Sequence, residues 1–210
     1  FKLPIDTVCI GKTKMDSRQL DKQYWDNRYK KQQTGWDIGY ASPAIVTYVE
    51  QSIPKTASVL IPGCGNAHEA KALLAKGYQH LTLLDIAPSL VKKVRQELKE
   101  NTTIQIICQD FFQFDRQYDY ILEQTFLCAL DPSLRKDYVR QMHKLLSPHG
   151  RLAGLLFQRE FSQPGPPFGG SKREYHELFQ SHFDILHLEE CPISIPSRQG
   201  NELFFELKKK

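Results

Sequence analysis

The chain is poor in the features that would place it in a special class. Its 210 residues hold two tryptophans, two methionines and five cysteines, and Cys9, Cys64, Cys108, Cys128 and Cys191 stand far apart. No C-x-x-C pair exists, so neither a zinc site nor a disulfide framework is indicated. Reduced thiols in a cytoplasmic protein are expected. No apolar run approaches the ~18 to 20 residues of a membrane span. The opening Phe1-Lys-Leu-Pro-Ile-Asp6 lacks a long apolar centre, so no signal peptide is expected. Charge of one sign is also scarce: 28 basic residues face 24 acidic ones, for a net charge of +4. That excess is too small for a nucleic-acid footprint, and the terminal Lys208-Lys209-Lys210 reads as a solvated tail. No Asp/His cluster has metal-ligand spacing, so no metal is expected.

What is present is ordinary for a globular protein, with 40% hydrophobic and 25% charged residues. The length suffices for one domain with a sizeable core. Residues 1–17 read as a loose N-terminal extension, and 18–210 as a single domain. A helix is expected from Asp16 to Lys31, capped by Asp16 or Ser17. A glycine-punctuated loop follows at Thr34 to Tyr40, then a helix opened by Ser42-Pro43. Strands are expected at 58–61, 81–85, 103–108, 118–123 and 151–157, alternating with helices from Ala67, Pro88 and Asp131. Pro148-His149-Gly150 is expected to end the helix from Asp131. Ser171 caps a further helix, and 183–189 with 202–207 form a closing antiparallel pair. Such alternation implies an α/β fold with a mostly parallel sheet covered on both faces.

The most informative stretch is Ser58-Val-Leu-Ile-Pro-Gly-Cys-Gly65 with the helix after it and Leu81-Thr-Leu-Leu-Asp85. It is a buried strand, a glycine turn, a helix and a second buried strand ending in an acid, half of a nucleotide-binding unit. Gly63 and Gly65 permit a sharp turn and a close ligand approach. Asp85 lies 20 residues beyond Gly65, the separation at which an acid grips a ribose hydroxyl. His68 stands where a dinucleotide fingerprint wants a third small residue, and no P-loop Lys-Ser/Thr pair is present. A ligand with a ribose but no phosphate fits better, and S-adenosylmethionine (SAM) is the common one. On this pattern a dinucleotide and a plain structural turn stay open. The next strands end in Gln109-Asp110 and Glu123-Gln124, so four consecutive strand ends carry glycine or polar pairs where such folds bind ligands.

Several pieces taken together resemble a known family. They are Trp25-Asp-Asn-Arg-Tyr29, Thr34-Gly-Trp36-Asp37, Ile61-Pro-Gly-Cys-Gly65, Leu84-Asp-Ile-Ala-Pro88, Asp110-Phe-Phe112, Phe126-Leu-Cys-Ala-Leu130 and Gly165-Pro-Pro-Phe168. The chain resembles the thiopurine S-methyltransferase family, and within it the thiol/halide methyltransferase branch, whose likeness extends to Ile195-Pro-Ser-Arg-Gln-Gly200. The resemblance implies a class I SAM-dependent methyltransferase fold, a Rossmann-like three-layer sandwich with seven strands, one of them antiparallel. It implies that Trp25, Tyr29 and Trp36 close over SAM, that Gly63 lies against its amino-acid part and that Asp85 binds its ribose. Gln109 and Asp110 would hold the adenine, and Gln124 would touch the cofactor. Segment 18–40 then becomes a cover. Its aromatic faces suit a sulfonium cation, at about 0.5 to 2 kcal/mol each.

Gln124 stands where the thiopurine enzymes have an arginine and the thiol/halide branch a tyrosine. A neutral amide cannot supply the charge of an arginine, which argues against thiopurine-like aromatic acceptors. The expected activity is methyl transfer to a small thiol, bisulfide or halide, releasing S-adenosylhomocysteine. Tyr40, Phe126 and Phe168 are candidates to line the acceptor pocket. A thiolate or halide needs no proton removed, so no catalytic residue is assigned; His68 reads as a capping or surface residue, and Cys64 and Cys128 as backbone-position and filler residues. The alternatives are an O- or N-methyltransferase of small metabolites and a SAM-binding module without catalysis. A nucleic-acid methyltransferase is disfavoured by the charge balance and by the absence of an Asn-Pro-Pro-Tyr-like motif. A monomer acting on a small molecule is expected.

Overall fold

The computed structural model describes residues 20–210. The expected extension 1–17 and the proposed caps Asp16 and Ser17 lie outside the described residues. Six helices and seven strands follow in the order α1 (Lys22–Lys30), α2 (Pro43–Ser52), β1 (Val59–Pro62), α3 (His68–Ala75), β2 (Leu81–Asp85), α4 (Pro88–Glu97), β3 (Gln105–Cys108), β4 (Tyr118–Gln124), α5 (Arg135–Leu145), β5 (Leu146–Phe157), α6 (Lys172–Phe179), β6 (Phe183–Glu190) and β7 (Glu202–Lys209). The strands form one sheet in the order β3-β2-β1-β4-β5-β7-β6. β7 runs antiparallel to both of its neighbours, and every other pairing is parallel.

Side-chain alternation explains why both faces are covered. Val59, Ile61, Leu81, Leu83, Leu122 and Ala153 point to one face and pack with α2, α3 and α4 through Ile45, Val49, Leu73, Leu90 and Val94. Leu60, Leu84, Ile121, Leu152 and Leu156 point to the other and meet α5 and α6 through Tyr138, Met142, Leu145, Tyr175 and Phe179. Neither face of β1 or β2 touches water, so these two strands read as nearly continuous apolar runs.

Three local expectations change. Of the helix expected over Asp16 to Lys31, the described part is α1 from Lys22, where Asp21 accepts the Tyr24 amide at 2.8 Å and caps it. Pro148-His149-Gly150 lies within β5 rather than ending α5. Leu146 pairs with Tyr118 and Arg151 with Tyr120, and the residues between bulge out, with His149 at φ 64°. The helix before it is shorter than expected, because Asp131 caps a separate 3-10 turn at Pro132–Leu134.

The chain winds outward from β1 in both directions, to β2 and β3 on one side and to β4 and β5 on the other. The crevice outside the carboxyl ends of β1 and β4 is therefore the topological switch point, where open α/β sheets bind ligands.

Candidate active site

The floor is the turn after β1. Gly63, Gly65 and Ala67 all adopt positive φ, at 60°, 52° and 58°. A Cβ on Gly63 would drive into the ring of Phe126, so glycine is required there on both counts. α3 then starts without a side-chain cap, leaving its first N–H groups aimed at the crevice. Asp85 ends β2 and is 7% exposed. Its carboxylate accepts the amides of Gly65 at 3.2 Å and Ala87 at 3.0 Å. Burial pushes its pKa up to about 6, and these amides hold it from rising further. Among the described residues it forms no salt bridge. It is a buried acid with acceptor capacity left over, a fit for the two hydroxyls of a ribose.

Gln109 and Asp110 follow β3. The Gln109 amide donates to the Asp85 carbonyl at 3.0 Å, which ties the third strand end to the second. Asp110 uses Oδ1 to accept the Phe112 amide at 2.9 Å and caps the 3-10 turn Phe111–Gln113. Both residues are partly exposed at the end of β3.

The cover closes on this floor. Trp25 meets Trp36 edge-on at 5.5 Å between ring centroids, and Tyr29 meets Trp36 at 5.7 Å. The Tyr29 hydroxyl lies 3.5 Å from where a Cβ of Gly65 would be. Burial drives the Tyr29 pKa far up, and the nearby Asp85 charge adds to it. The structure thus brings Trp25, Tyr29, Trp36, Gly65 and Asp85 together, although roughly 60 residues separate the ends of that set.

Three acids that sequence reasoning passed over fasten the cover. Asp26, buried in α1, accepts the amide and hydroxyl of Ser89 at 2.7 and 2.5 Å and pairs with Lys30 at 2.6 Å. It therefore caps α4 from another helix. Burial raises its pKa, but the Lys30 and Ser89 contacts outweigh that and hold it down at about 2. Asp37, beside Trp36, accepts from the Asn66 amide, from the Gly39 amide at 2.7 Å and pairs with His68 Nε2 at 2.8 Å. His68 is thus a latch for the cover loop. Glu69 of α3 accepts the Ser42 amide at the start of α2, at 3.0 Å. From the far side Arg198 donates to the Trp36 carbonyl at 2.9 Å and to Glu202 at 3.2 Å. The only signal of these roles was placement within the family-like pieces that contain Asp26, Asp37 and Arg198.

The wall is the end of β4. Gln124 has a buried Oε1 without a partner among the described residues. Thr125 adopts φ 56°, uncommon for a β-branched residue. Phe126 packs on Phe111 at 5.0 Å and abuts Gly63. The Pro/Gly loop joins this wall: the Phe168 amide donates to the Cys128 carbonyl at 2.7 Å, and Arg135 to the Gly169 carbonyl at 2.6 Å. The Phe168 backbone is therefore tied to the turn that carries Phe126. Tyr40 is 50% exposed and stands at the outer rim. Cys64 is a buried and Cys128 a half-buried thiol; desolvation pushes both pKa values up, which disfavours the reactive thiolate.

The family described as Thiopurine S-methyltransferase (TPMT) matches residues 20–207. "Probable thiol methyltransferase 2" of Arabidopsis thaliana is 29% identical over 88% of this chain and 84% of its own length. "Thiocyanate methyltransferase 1" of the same plant is 29% identical over 91% and 87%. Among solved structures, the 1,6-didemethyltoxoflavin-N1-methyltransferase of Burkholderia thailandensis, with bound S-adenosylhomocysteine, superposes with a TM-score of 0.73. At 18% identity, covering 90% of this chain and 87% of that one, it shows the fold alone, which is the expected class I methyltransferase sandwich.

Proposed function

Because the chain belongs to the thiopurine S-methyltransferase family, we propose that it is a SAM-dependent methyltransferase acting on a small soft nucleophile, a thiol, bisulfide or halide. The observation that carries this reading is the closure of Trp25, Tyr29 and Trp36 over Gly65 and the buried Asp85. Asp85 would hold the ribose, Gln109 and Asp110 the adenine, and Gly63 the amino-acid part, with Gln124 beside it. SAM supplies a methyl group on a sulfonium that leaves without protonation.

The chain's own residues align the acceptor and exclude water. The aromatic cover offers π faces to a cation while shutting out solvent. Phe126 and Phe168 give an apolar wall that strips water from a soft anion and raises its nucleophilicity. Positioning rather than acid–base chemistry supplies most of the acceleration for an anionic acceptor. Gln124 offers no positive charge, which favours small acceptors over aromatic thiols of the thiopurine kind. The protein acts as a cytoplasmic monomer on a small molecule, without nucleic acid or membrane. No helix among the described residues is long and apolar enough to cross a membrane.

The test is incubation with SAM and a panel of iodide, bisulfide, thiocyanate, small thiols and thiopurines, following S-adenosylhomocysteine release. Turnover of small soft nucleophiles with weak thiopurine turnover is expected. Release with none of them would overturn the reading in favour of an O- or N-acceptor or a non-catalytic SAM protein.

A further inference from the structure

The buried side-chain atoms without a hydrogen-bond partner among the described residues are Glu123 Oε2, Gln124 Oε1, Arg135 Nε and Tyr138 Oη. Glu123 and Gln124 end β4, and Arg135 and Tyr138 lie on α5. Buried polar atoms are nearly always satisfied, so such a cluster calls for a cause. Glu123 is the most pronounced case, because it is a carboxyl group with 0% exposure and no cationic partner.

Its two oxygens are treated differently. Oε1 accepts the amides of Phe126 at 2.6 Å and Leu127 at 2.9 Å. It therefore holds the turn in which Thr125 is forced to positive φ, a strained conformation for a β-branched residue. The ring of Phe126, fixed by that turn, closes on Gly63 of the cofactor floor. Oε2 has no partner among the described residues. The ionisable groups around the carboxyl are Glu202 at the start of β7, Cys128 in the turn, Tyr138 on α5 and Tyr175 on α6. None of them neutralises it. Burial, reinforced by Glu202, lifts its pKa to about 7 against the opposing pull of the two amides. A base is most useful when its pKa lies near the working pH.

We propose that Glu123 Oε2 accepts the proton of acceptors that arrive as neutral thiols, so that the site methylates thiols as well as ready-made anions. This rests on the methyl-transfer reading above and adds the fate of the proton. The thiol sulfur forms a bond to the methyl carbon, and the sulfonium carbon–sulfur bond breaks with its electron pair left on sulfur. The S–H proton passes to Glu123, which ends neutral. Thioether, S-adenosylhomocysteine and a protonated carboxyl are the products, and opening of the cover returns the proton to water. An anion such as thiocyanate carries no proton and bypasses Glu123.

The two acceptor types separate this role from a structural one. At pH 7 about 3% of a thiol with pKa ~8.5 is thiolate. An enzyme limited to that fraction loses roughly 10- to 30-fold on thiol acceptors. The ratio of thiol to thiocyanate turnover should therefore fall about 10- to 30-fold in Glu123→Gln. The pair Glu123→Asp and Glu123→Asn, equal in size, repeats the comparison should the glutamine variant not fold; the Asp variant should keep a higher ratio than the Asn variant. Thiocyanate affinity for the S-adenosylhomocysteine complex, measured by calorimetry, should rise at least threefold in Glu123→Gln, because a like charge has been removed. An unchanged ratio with unchanged thiocyanate affinity would overturn the assignment while leaving the methyl-transfer reading standing. If the wild-type enzyme turns over neither acceptor, that reading fails and the inference with it.

Discussion

Replacing Asp85 by asparagine should make the protein more stable and less able to bind its cofactor. The carboxylate is buried among backbone amides and lacks a cation, and its pKa lies near 6 against an ordinary 3.8. A raised carboxyl pKa means that ionisation opposes folding. The penalty is absent below about pH 4, grows as pH rises through 6 and is complete above about 7. The difference corresponds to roughly 3 kcal/mol at neutral pH. Asparagine removes that penalty but can satisfy only one of the Gly65 and Ala87 amides, a loss of about 1 to 2 kcal/mol. A net gain of about 1 to 2 kcal/mol remains, or a rise of roughly 3 to 6 °C in Tm for a chain of this size. Thermal melts of the ligand-free protein from pH 4.5 to 8 should show the variant's advantage shrinking as pH falls. Calorimetry should show S-adenosylhomocysteine binding weakened about 10- to 100-fold, as expected for lost hydrogen bonds to a charged acceptor. A variant that melts below the wild type at pH 8, or binds the ligand equally well, would refute both the electrostatic and the ribose argument.

Other outcomes follow from the same contacts. Asp26→Ala removes the cap on α4 and should lower stability by about 1 kcal/mol at pH 7. Because the native pKa is held near 2, that difference should persist down to about pH 4 and vanish as pH falls to 2, as denaturant melts would show. Gly63→Ala should lose S-adenosylhomocysteine binding, since its Cβ meets Phe126 and its φ is 60°. Adding Phe126→Ala should recover only the steric share of the lost stability, a coupling that a double-mutant cycle measures. Arg198→Lys should loosen the Trp36 carbonyl contact and weaken ligand binding about 10-fold. Both tryptophans lie in the cover, so a red shift of intrinsic fluorescence should accompany that loss.

The sheet was legible because its signal is local. β2 lies where the apolar run Leu81 to Asp85 places it, and the glycine turn sits between β1 and α3 as expected. The antiparallel β6–β7 pair was legible for the same reason. The break between α5 and β5 was not, because a bulge at Pro148 to Gly150 depends on what Tyr118 pairs with across the sheet. Site residues divide in the same way. Gly63, Gly65 and Asp85 carry their meaning in their spacing. Trp25, Tyr29 and Trp36 gained theirs only from resemblance to a family, since aromatics at helical spacing are usually core. Asp26, Asp37 and Arg198 were marked only by lying within family-like pieces, Glu123 only by its place at a strand end, and Glu69 by nothing. Their partners, Ser89, His68, Ser42, the Phe126 amide and Trp36, lie at separations from 3 to 162 residues, and only the folded chain brings them within hydrogen-bond reach.

The most direct test of the central claim follows the methyl group itself. SAM labelled at its methyl carbon is incubated with the protein and an equimolar mixture of thiocyanate, bisulfide, a small thiol, a small amine and a small phenol at pH 7. Label is expected on sulfur, with little or none on nitrogen or oxygen. Label confined to the amine or the phenol, or label that never leaves SAM, would contradict the account.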